Sequence, residues 1–314
     1  MTGDTLATCL TPNGIKTRVF ARDMHYSSAL EDARHCWASA QTLYYMLWNT
    51  ASLLLRPDAI AGGQAANILP ALRDLGFVPV AVAAVRLSLA QTRQLWRYQA
   101  SVSTQERLQL LDLLMTSGHS LYILFHDITR RVSAPATVHL TYLKGTAIVM
   151  NRRKGHLRTL AGPKVANILS YVHVADDPAD LMREIALLFP SRRWLKLLKE
   201  AGQALDRTED VRSLVRRLQV CSPRQLLEHS NAVLLTDSTL PDARAWERIL
   251  NTQGLPLSEV EARWRWQHIV EVSKACKVFV TGNAYDGRTA TVPDDKESSL
   301  PLDGHLVFTE LGPR

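Results

Sequence analysis

Residues 170–190 read SYVHVADDPADLMREIALLFP. They set His173 between two valines, put Asp176 and Asp177 just behind it, and place Glu184 eleven residues further on. Imidazole is the side chain that is both substantially neutral and nucleophilic near pH 7, so such a histidine needs orienting more than it needs a strong base beside it. On a helical wheel Glu184 shares a flank with Leu181 and Leu188, whereas Arg183 is placed outward. A carboxylate at the edge of an apolar face needs a partner. Helical side chains lean toward the N-terminus, where the preceding strand delivers His173, so a contact between the two is sterically open. The plainer reading is a buried strand histidine bonded to backbone, with Asp177 a helix cap and Glu184 solvated. A metal site built from His173, Asp176 and Asp177 lacks a fourth ligand, and the cap already occupies Asp177; no metal is assigned.

The elements that would position these groups follow from pattern. SYVHV has strand composition; Asp177 is placed as an N-cap, Pro178 fits the first helical position, and ADLMREIALLF repeats apolar residues at helical intervals. Upstream, SSALEDARHCWASAQTLYYMLW (27–48) carries a capping box in Ser28 and Glu31 and predicts one helix of about five turns. TASLLL reads as a buried strand ending at Pro57 and a glycine pair, AANILPALRDLGF as a helix stopped by Gly76, and VPVAVAAVRLSL as a β-branched strand. SLAQTRQLWRYQ and TQERLQLLDLLMTSG predict two helices, the second closed by Gly118, before the strand SLYILFHD. The pattern weakens over 128–169, where NRRKGHLR (151–158) reads as an exposed basic loop. Beyond Pro190 the helical segments WLKLLKEAGQAL, EDVRSLVRRLQV, PRQLLEH, DARAWERIL and SEVEARWRWQHIVEVSKAC predict a helical lobe. KVFVTGN reads as one late strand, ahead of a tail rich in Asp, Ser, Pro and Gly.

The 314 residues are 46% hydrophobic and 21% charged, enough for one large core or two ordinary ones, and no tract has the composition of a disordered protein. A net charge of +7 favours anionic partners: nucleotides, nucleic acid or phosphorylated metabolites. No run of eighteen apolar residues occurs and MTGDTLATCL lacks the regions of a secretion signal, so a cytoplasmic protein without a membrane span is expected. Cys9, Cys36, Cys221 and Cys276 show no C-x-x-C spacing and read as reduced thiols. RWRW at 263–266 alternates arginine and tryptophan, but inside a capped helix it marks an amphipathic face more readily than a nucleic-acid surface.

Four strands interrupted by helices in this order suit an α/β (α+β) ferredoxin-like antiparallel sandwich. With RPDA at 56–59, LLDLLMTSG at 110–118, SYVHVADD at 170–177 and REIALLF at 183–189, the stretch 51–190 resembles nucleoside diphosphate kinase. That family carries K-P-D-[AG] after its first strand, M-x-S-G, and N-x-x-H-G-S-D-S before its last helix. The resemblance implies a phosphotransferase in which His173 attacks the γ-phosphate of a nucleoside triphosphate brought with Mg²⁺, carries the phosphoryl group, and passes it to a second substrate. It implies that Glu184 orients the histidine, that Asp58 and Asp176 are structural at the site, and that a homo-oligomer forms.

It also implies departures around the nucleotide. Arg56 replaces the motif lysine, a planar fork for a compact ammonium. Ser170 replaces the asparagine, Val174 the glycine and Ala175 the first serine. Trp96 falls where the family has a tyrosine near the phosphates, and its indole N–H can donate. Arg107 corresponds to the base-stacking aromatic and Leu111 to its aliphatic neighbour. The phosphate arginines have no clean match: Thr137, His139 and Thr141 lie near the first, and Arg158 is the candidate for the second, with Arg152, Arg153 and Lys154 as replacement charge. The expected organisation is a helical extension (1–50), the kinase-like domain (51–190), a mainly helical lobe (191–285) and a tail (286–314). The altered clamp points to an acceptor other than a common nucleoside diphosphate, such as a phosphorylated metabolite. The rivals are a nucleotide-binding pseudoenzyme or interaction module, and a fold recruited for another reaction.

Overall fold

The computed structural model describes residues 3–98, 105–129, 134–146, 152–161 and 170–221. The helical segments expected after Cys221, the late strand and the tail lie outside the described residues.

Four helices precede the sheet: α1 (Gly3–Leu10), α2 (Gly14–Phe20), α3 (Met24–Cys36) and α4 (Ala40–Asn49). The single helix expected over 27–48 is therefore two. Asp23, not Ser28, caps α3, accepting from the N–H groups of His25 and Tyr26. Trp37 is extended, and Ser39 starts α4 by accepting from Thr42 N–H. An apolar stripe carried across a short break keeps its helical period, so the pattern alone hides the interruption.

The domain then runs β1 (Thr50–Leu55), α5 (Pro57–Ala61), α6 (Ala65–Asp74), β2 (Phe77–Val85), α7 (Leu89–Leu95), α8 (Gln105–Thr116), β3 (Ser120–Asp127), α9 (Ala136–Lys144), α10 (Leu157–Ala161), β4 (Val172–Val174), α11 (Pro178–Leu188), α12 (Ser191–Gln203) and α13 (Thr208–Cys221). The strands form one sheet in the order β2-β3-β1-β4, every neighbouring pair antiparallel. This is the ferredoxin-like arrangement expected from the element order, in which β3 is inserted between β1 and β2.

Strand residues alternate between two faces, so register decides which residues share a core. His173 pairs with Leu54, Leu54 with Tyr122, and Tyr122 with Ala83. Leu54, Tyr122 and Ala83 belong to a core that also takes Leu6 and Leu10 of α1, Phe20 of α2, Leu43 and Leu47 of α4, and Trp194 and Leu198 of α12. The opposite face, with Leu53, Leu55, Ile123, Val172 and Val174, packs on α5, α6, α9, α10 and on Val211 and Val215 of α13. The N-terminal helices are thus part of the core on the histidine's face. Burying Leu6, Leu10, Phe20, Leu43 and Leu47 completely contributes roughly 1.5–3 kcal/mol each relative to exposure.

Gly76 enters β2 with φ +88, where an added Cβ would stand 2.0 Å from Thr129 Cγ2. Its carbonyl also accepts from Ile128 N–H. Left-handed backbone costs a residue with a Cβ about 1–2 kcal/mol. Gly76→Ala is expected to lower unfolding stability in urea by about 2 kcal/mol or more once displacement of Thr129 is added; an unchanged midpoint would contradict this turn.

Candidate functional site

His173 stands at the middle of the short edge strand β4, and the chain on both sides of it is pinned. Before it, Tyr171 adopts φ +62, a left-handed conformation that costs a non-glycine residue about 1–3 kcal/mol and persists only when its surroundings hold it. They do so through Asp58: its Oδ2 accepts from Tyr171 N–H at 3.0 Å and its Oδ1 from Arg56 Nε at 3.1 Å, while Arg56 N–H donates to Tyr171 O at 3.0 Å. After it, Thr141 Oγ1 donates to Ala175 O at 3.1 Å, Lys144 Nζ lies 3.6 Å from Asp176, and Asp177 caps α11 by accepting from Asp180 N–H.

The ring itself is oriented by one bond. His173 Nε2 is 2.8 Å from Glu184 Oε1, and both side chains are buried. A carboxylate only accepts, so Nε2 carries the proton and the lone pair is left on Nδ1. Nδ1 makes no hydrogen bond to a described residue. The imidazole keeps 9% of its side-chain surface, with the Trp96 indole in a T-shaped arrangement against it at a centroid distance of 5.3 Å and an interplanar angle of 73°. The ring is therefore largely covered, with a bulky indole beside it. Burial, and then the charge of Glu184, push the Tyr122 phenol upward, which marks the surroundings of this carboxylate as poorly solvated.

The helix that carries Glu184 is buried along almost its whole length. Arg183, expected to face outward, is only 2% exposed. Its Nε donates to Asp23 Oδ2 at 2.7 Å and its NH2 to Gln94 O at 2.7 Å. Tyr98 Oη also donates to Asp23 Oδ2, at 2.7 Å. Burial alone would raise the Asp23 carboxyl, but the bonds from Arg183 and Tyr98 outweigh it and hold it below the usual carboxylate range. One turn earlier, Lys16 Nζ lies 2.7 Å from Asp177 Oδ2 and also contacts Asp180. Burial opposes the Lys16 charge, yet Asp177, Asp180 and Asp176 together raise its pKa. Burial drives Asp180 well above the usual carboxylate range against the pull of Lys16. Sequence reasoning missed Lys16, Asp23, Tyr98 and Asp180. Only Asp23 had a local signal, as a helix-start residue.

The cations expected at the phosphates are placed unevenly. Arg56, Arg152 and Arg158 are all buried, whereas Arg153 and Lys154 are exposed, so the loop expected to be a solvated basic surface is split. Burial first, with Arg56 also opposing, pushes Arg152 down against the countering effect of Tyr171 and Asp58. Arg152, Arg56, Tyr171 and Asp58 are thus electrostatic neighbours at the start of β4. Arg158 donates to the carbonyls of Gly145 and Val172 at 2.8 and 3.3 Å. Ser170 is buried immediately before Tyr171.

Trp96 and Leu111 pack on the same core as the His173 row, on α7 and α8. Arg107 lies in α8, and its side chain is outside the described ones. His139 is not brought to His173. Its Nδ1 lies 2.7 Å from Asp127 Oδ2 and its ring packs on Phe77, which belongs to the opposite core. Asp127 and Phe77 pair at the end of the sheet where β1 begins, whereas His173 pairs near the end of β1. Among the described residues no group of three or more His, Cys, Asp or Glu side chains could hold a metal ion, and no helix is long and apolar enough to cross a membrane.

Residues 49–194 match the family model described as nucleoside diphosphate kinase. Among solved structures, the chain is similar to a nucleoside diphosphate kinase family protein from Babesia bovis at 17% identity, covering 46% of this chain and 90% of that one, with a TM-score of 0.37. It is similar to the enzyme of Aquifex aeolicus at 18% identity, covering 45% and 94%, TM-score 0.37. It is also similar to the halophilic enzyme of Halobacterium salinarum, solved with CDP, at 19% identity, covering 45% and 87%, TM-score 0.37. No curated protein matches the chain at a significant level.

Proposed function

Because residues 49–194 make this chain a divergent member of the nucleoside diphosphate kinase family, we propose that it is a phosphotransferase working through a phosphohistidine at His173. The observation that carries this reading is the 2.8 Å contact between His173 Nε2 and Glu184, which leaves the Nδ1 lone pair as nucleophile. In the first half-reaction Nδ1 attacks the γ-phosphorus of a nucleoside triphosphate, the N–P bond forms, and the bond to the β,γ-bridging oxygen breaks to release the diphosphate. The ring gains positive charge as it is phosphorylated, and Glu184 stabilises it through the Nε2–H bond. In the second half-reaction an acceptor oxygen attacks phosphorus, the N–P bond breaks, and the acceptor proton is released to solvent.

Mg²⁺ belongs to the substrate in this scheme and arrives on the triphosphate. The carboxylates nearest the histidine are engaged by the chain itself: Glu184 by His173, Asp176 by Lys144, Asp177 and Asp180 by Lys16. Arg56 and Arg152, close to Asp58 and Tyr171, are the cations on hand for the phosphates. The acceptor in this reading is a non-standard nucleotide or a phosphorylated metabolite, because by the resemblance Arg107 falls where the family has its base-stacking aromatic. Such a reaction suits the cytoplasm, where triphosphates are available.

The test is incubation of the full chain with γ-labelled ATP and Mg²⁺. An acid-labile, base-stable label on the protein is expected; a protein that takes no label from any of several triphosphates would overturn the phosphohistidine. One observation favours a second reading, a nucleotide-binding module without turnover: the histidine ring is only 9% exposed behind Trp96. Calorimetry separates the two, since tight nucleotide binding without label supports the second alone.

A further inference from the structure

We propose that Asp23, acting through Arg183 and Tyr98, is a positioning residue that holds the indole of Trp96 against the His173 ring; its consequence for turnover rests on the phosphohistidine reading. Trp96 is the C-cap residue of α7, a helix of seven residues, and its N–H donates to the carbonyls of Thr92 and Gln94. Short helices are marginal by themselves, and their last carbonyls need partners from outside. The Gln94 carbonyl receives Arg183 NH2 at 2.7 Å, and two residues past the indole the Tyr98 hydroxyl donates to Asp23 Oδ2 at 2.7 Å. The same Oδ2 receives Arg183 Nε, also at 2.7 Å, and the guanidinium lies over the Tyr98 ring at 4.9 Å. Asp23 Oδ1 is occupied separately, by the N–H groups that begin α3.

The turn bearing Trp96 is therefore gripped on both sides of the indole by one buried carboxylate and the arginine paired with it. Arg183 precedes Glu184 on α11, so the histidine's orienting carboxylate and the anchor of its aromatic cover are consecutive residues of one helix. Asp23 lies outside residues 49–194, the segment that matches the family model. The N-terminal segment thereby supplies a part of the site that this domain does not contain. Charge-assisted bonds of this kind are the stronger hydrogen bonds, and inside a buried network they act as a unit, so removing one is felt at the others.

The test is the rate at which diethyl pyrocarbonate modifies His173 in the folded full chain, read by peptide mass mapping, with the exposed His119 as internal reference. No nucleotide is needed, so failure of ATP labelling leaves this measurement intact. Trp96→Ala is expected to raise the His173 rate about fivefold, and Asp23→Asn to raise it by a similar factor with the His119 rate unchanged. In the Trp96→Ala background Asp23→Asn should add nothing. An Asp23→Asn rate equal to wild type, or an equal increase with and without Trp96, would overturn the proposal. Should Asp23→Asn lose its cooperative melt, Tyr98→Phe serves instead. It deletes one bond and keeps the ring, and about a twofold rise that vanishes in the Trp96→Ala background is expected; no rise, or one that persists there, sinks the idea.

Discussion

Alanine in place of His173 is expected to remove all acid-labile phosphoprotein formed from γ-labelled ATP, while leaving the chain folded. The ring occupies the middle of a three-residue edge strand, hydrogen-bonded to Glu184 and set against the Trp96 indole. Its loss opens a small polar gap and does not break the central sheet pairing between β1 and β3. Glu184 gives the graded companion experiment. Glu184→Gln keeps an acceptor oxygen for Nε2–H and loses only the charge, so labelling should slow by about tenfold; Glu184→Ala loses orientation as well and should slow it by about 10²-fold. Equal labelling in wild type and His173→Ala would place the phosphoryl group elsewhere. Unchanged rates in both Glu184 variants would remove that carboxylate from the mechanism.

Lys16→Met is expected to cost the fold about 3–5 kcal/mol at neutral pH, the usual penalty for leaving buried charge without its partner. The methionine chain fills the space of the lysine stem, so the loss reports on charge, with little contribution from packing. Without the ammonium, Asp177 and Asp180 are left buried side by side, and Asp177 still has to cap α11. The pH dependence has a definite sign. Asp180 is held above its usual value of 3.8 in the folded chain, so the folded state keeps a proton that the unfolded chain has already released. Stability from this group is full below the unfolded pKa and is lost as pH rises through the folded one. Removing Lys16 raises the folded value further, and the deficit of Lys16→Met should shrink as the pH falls toward the ordinary carboxylate range. Urea denaturation across pH 4–7 measures this. A deficit under about 1 kcal/mol, or one that grows on acidification, would mean that Lys16 is not the partner of these carboxylates.

Much of the architecture is local in origin and could be read from residue order. TASLLL, SLYILFHD and the β-branched run after Gly76 are strands in the structure because their side chains suit a sheet buried on both faces. Asp177 followed by Pro178 starts α11 where capping chemistry demands. The spacing from His173 to Glu184 also has a local cause: strand, cap and two helical turns are short-range structure, and they return the carboxylate to the ring at 2.8 Å.

What only the folded chain decided is which charges are buried and with whom. Lys16 meets Asp177 across 161 residues and Asp23 meets Arg183 across 160. Nothing in the neighbours of an arginine on an amphipathic helix tells a solvated side chain from one covered by another segment, so Arg183 read as outward. Arg152 and Arg153 stand side by side in a basic loop, yet one is buried among Arg56, Asp58 and Tyr171 and the other is exposed. Periodicity and capping are properties of neighbouring residues and survive in the sequence. Desolvation and ion pairing depend on what the rest of the chain places nearby, and for this protein the N-terminal helices determine which side of α11 lies inside.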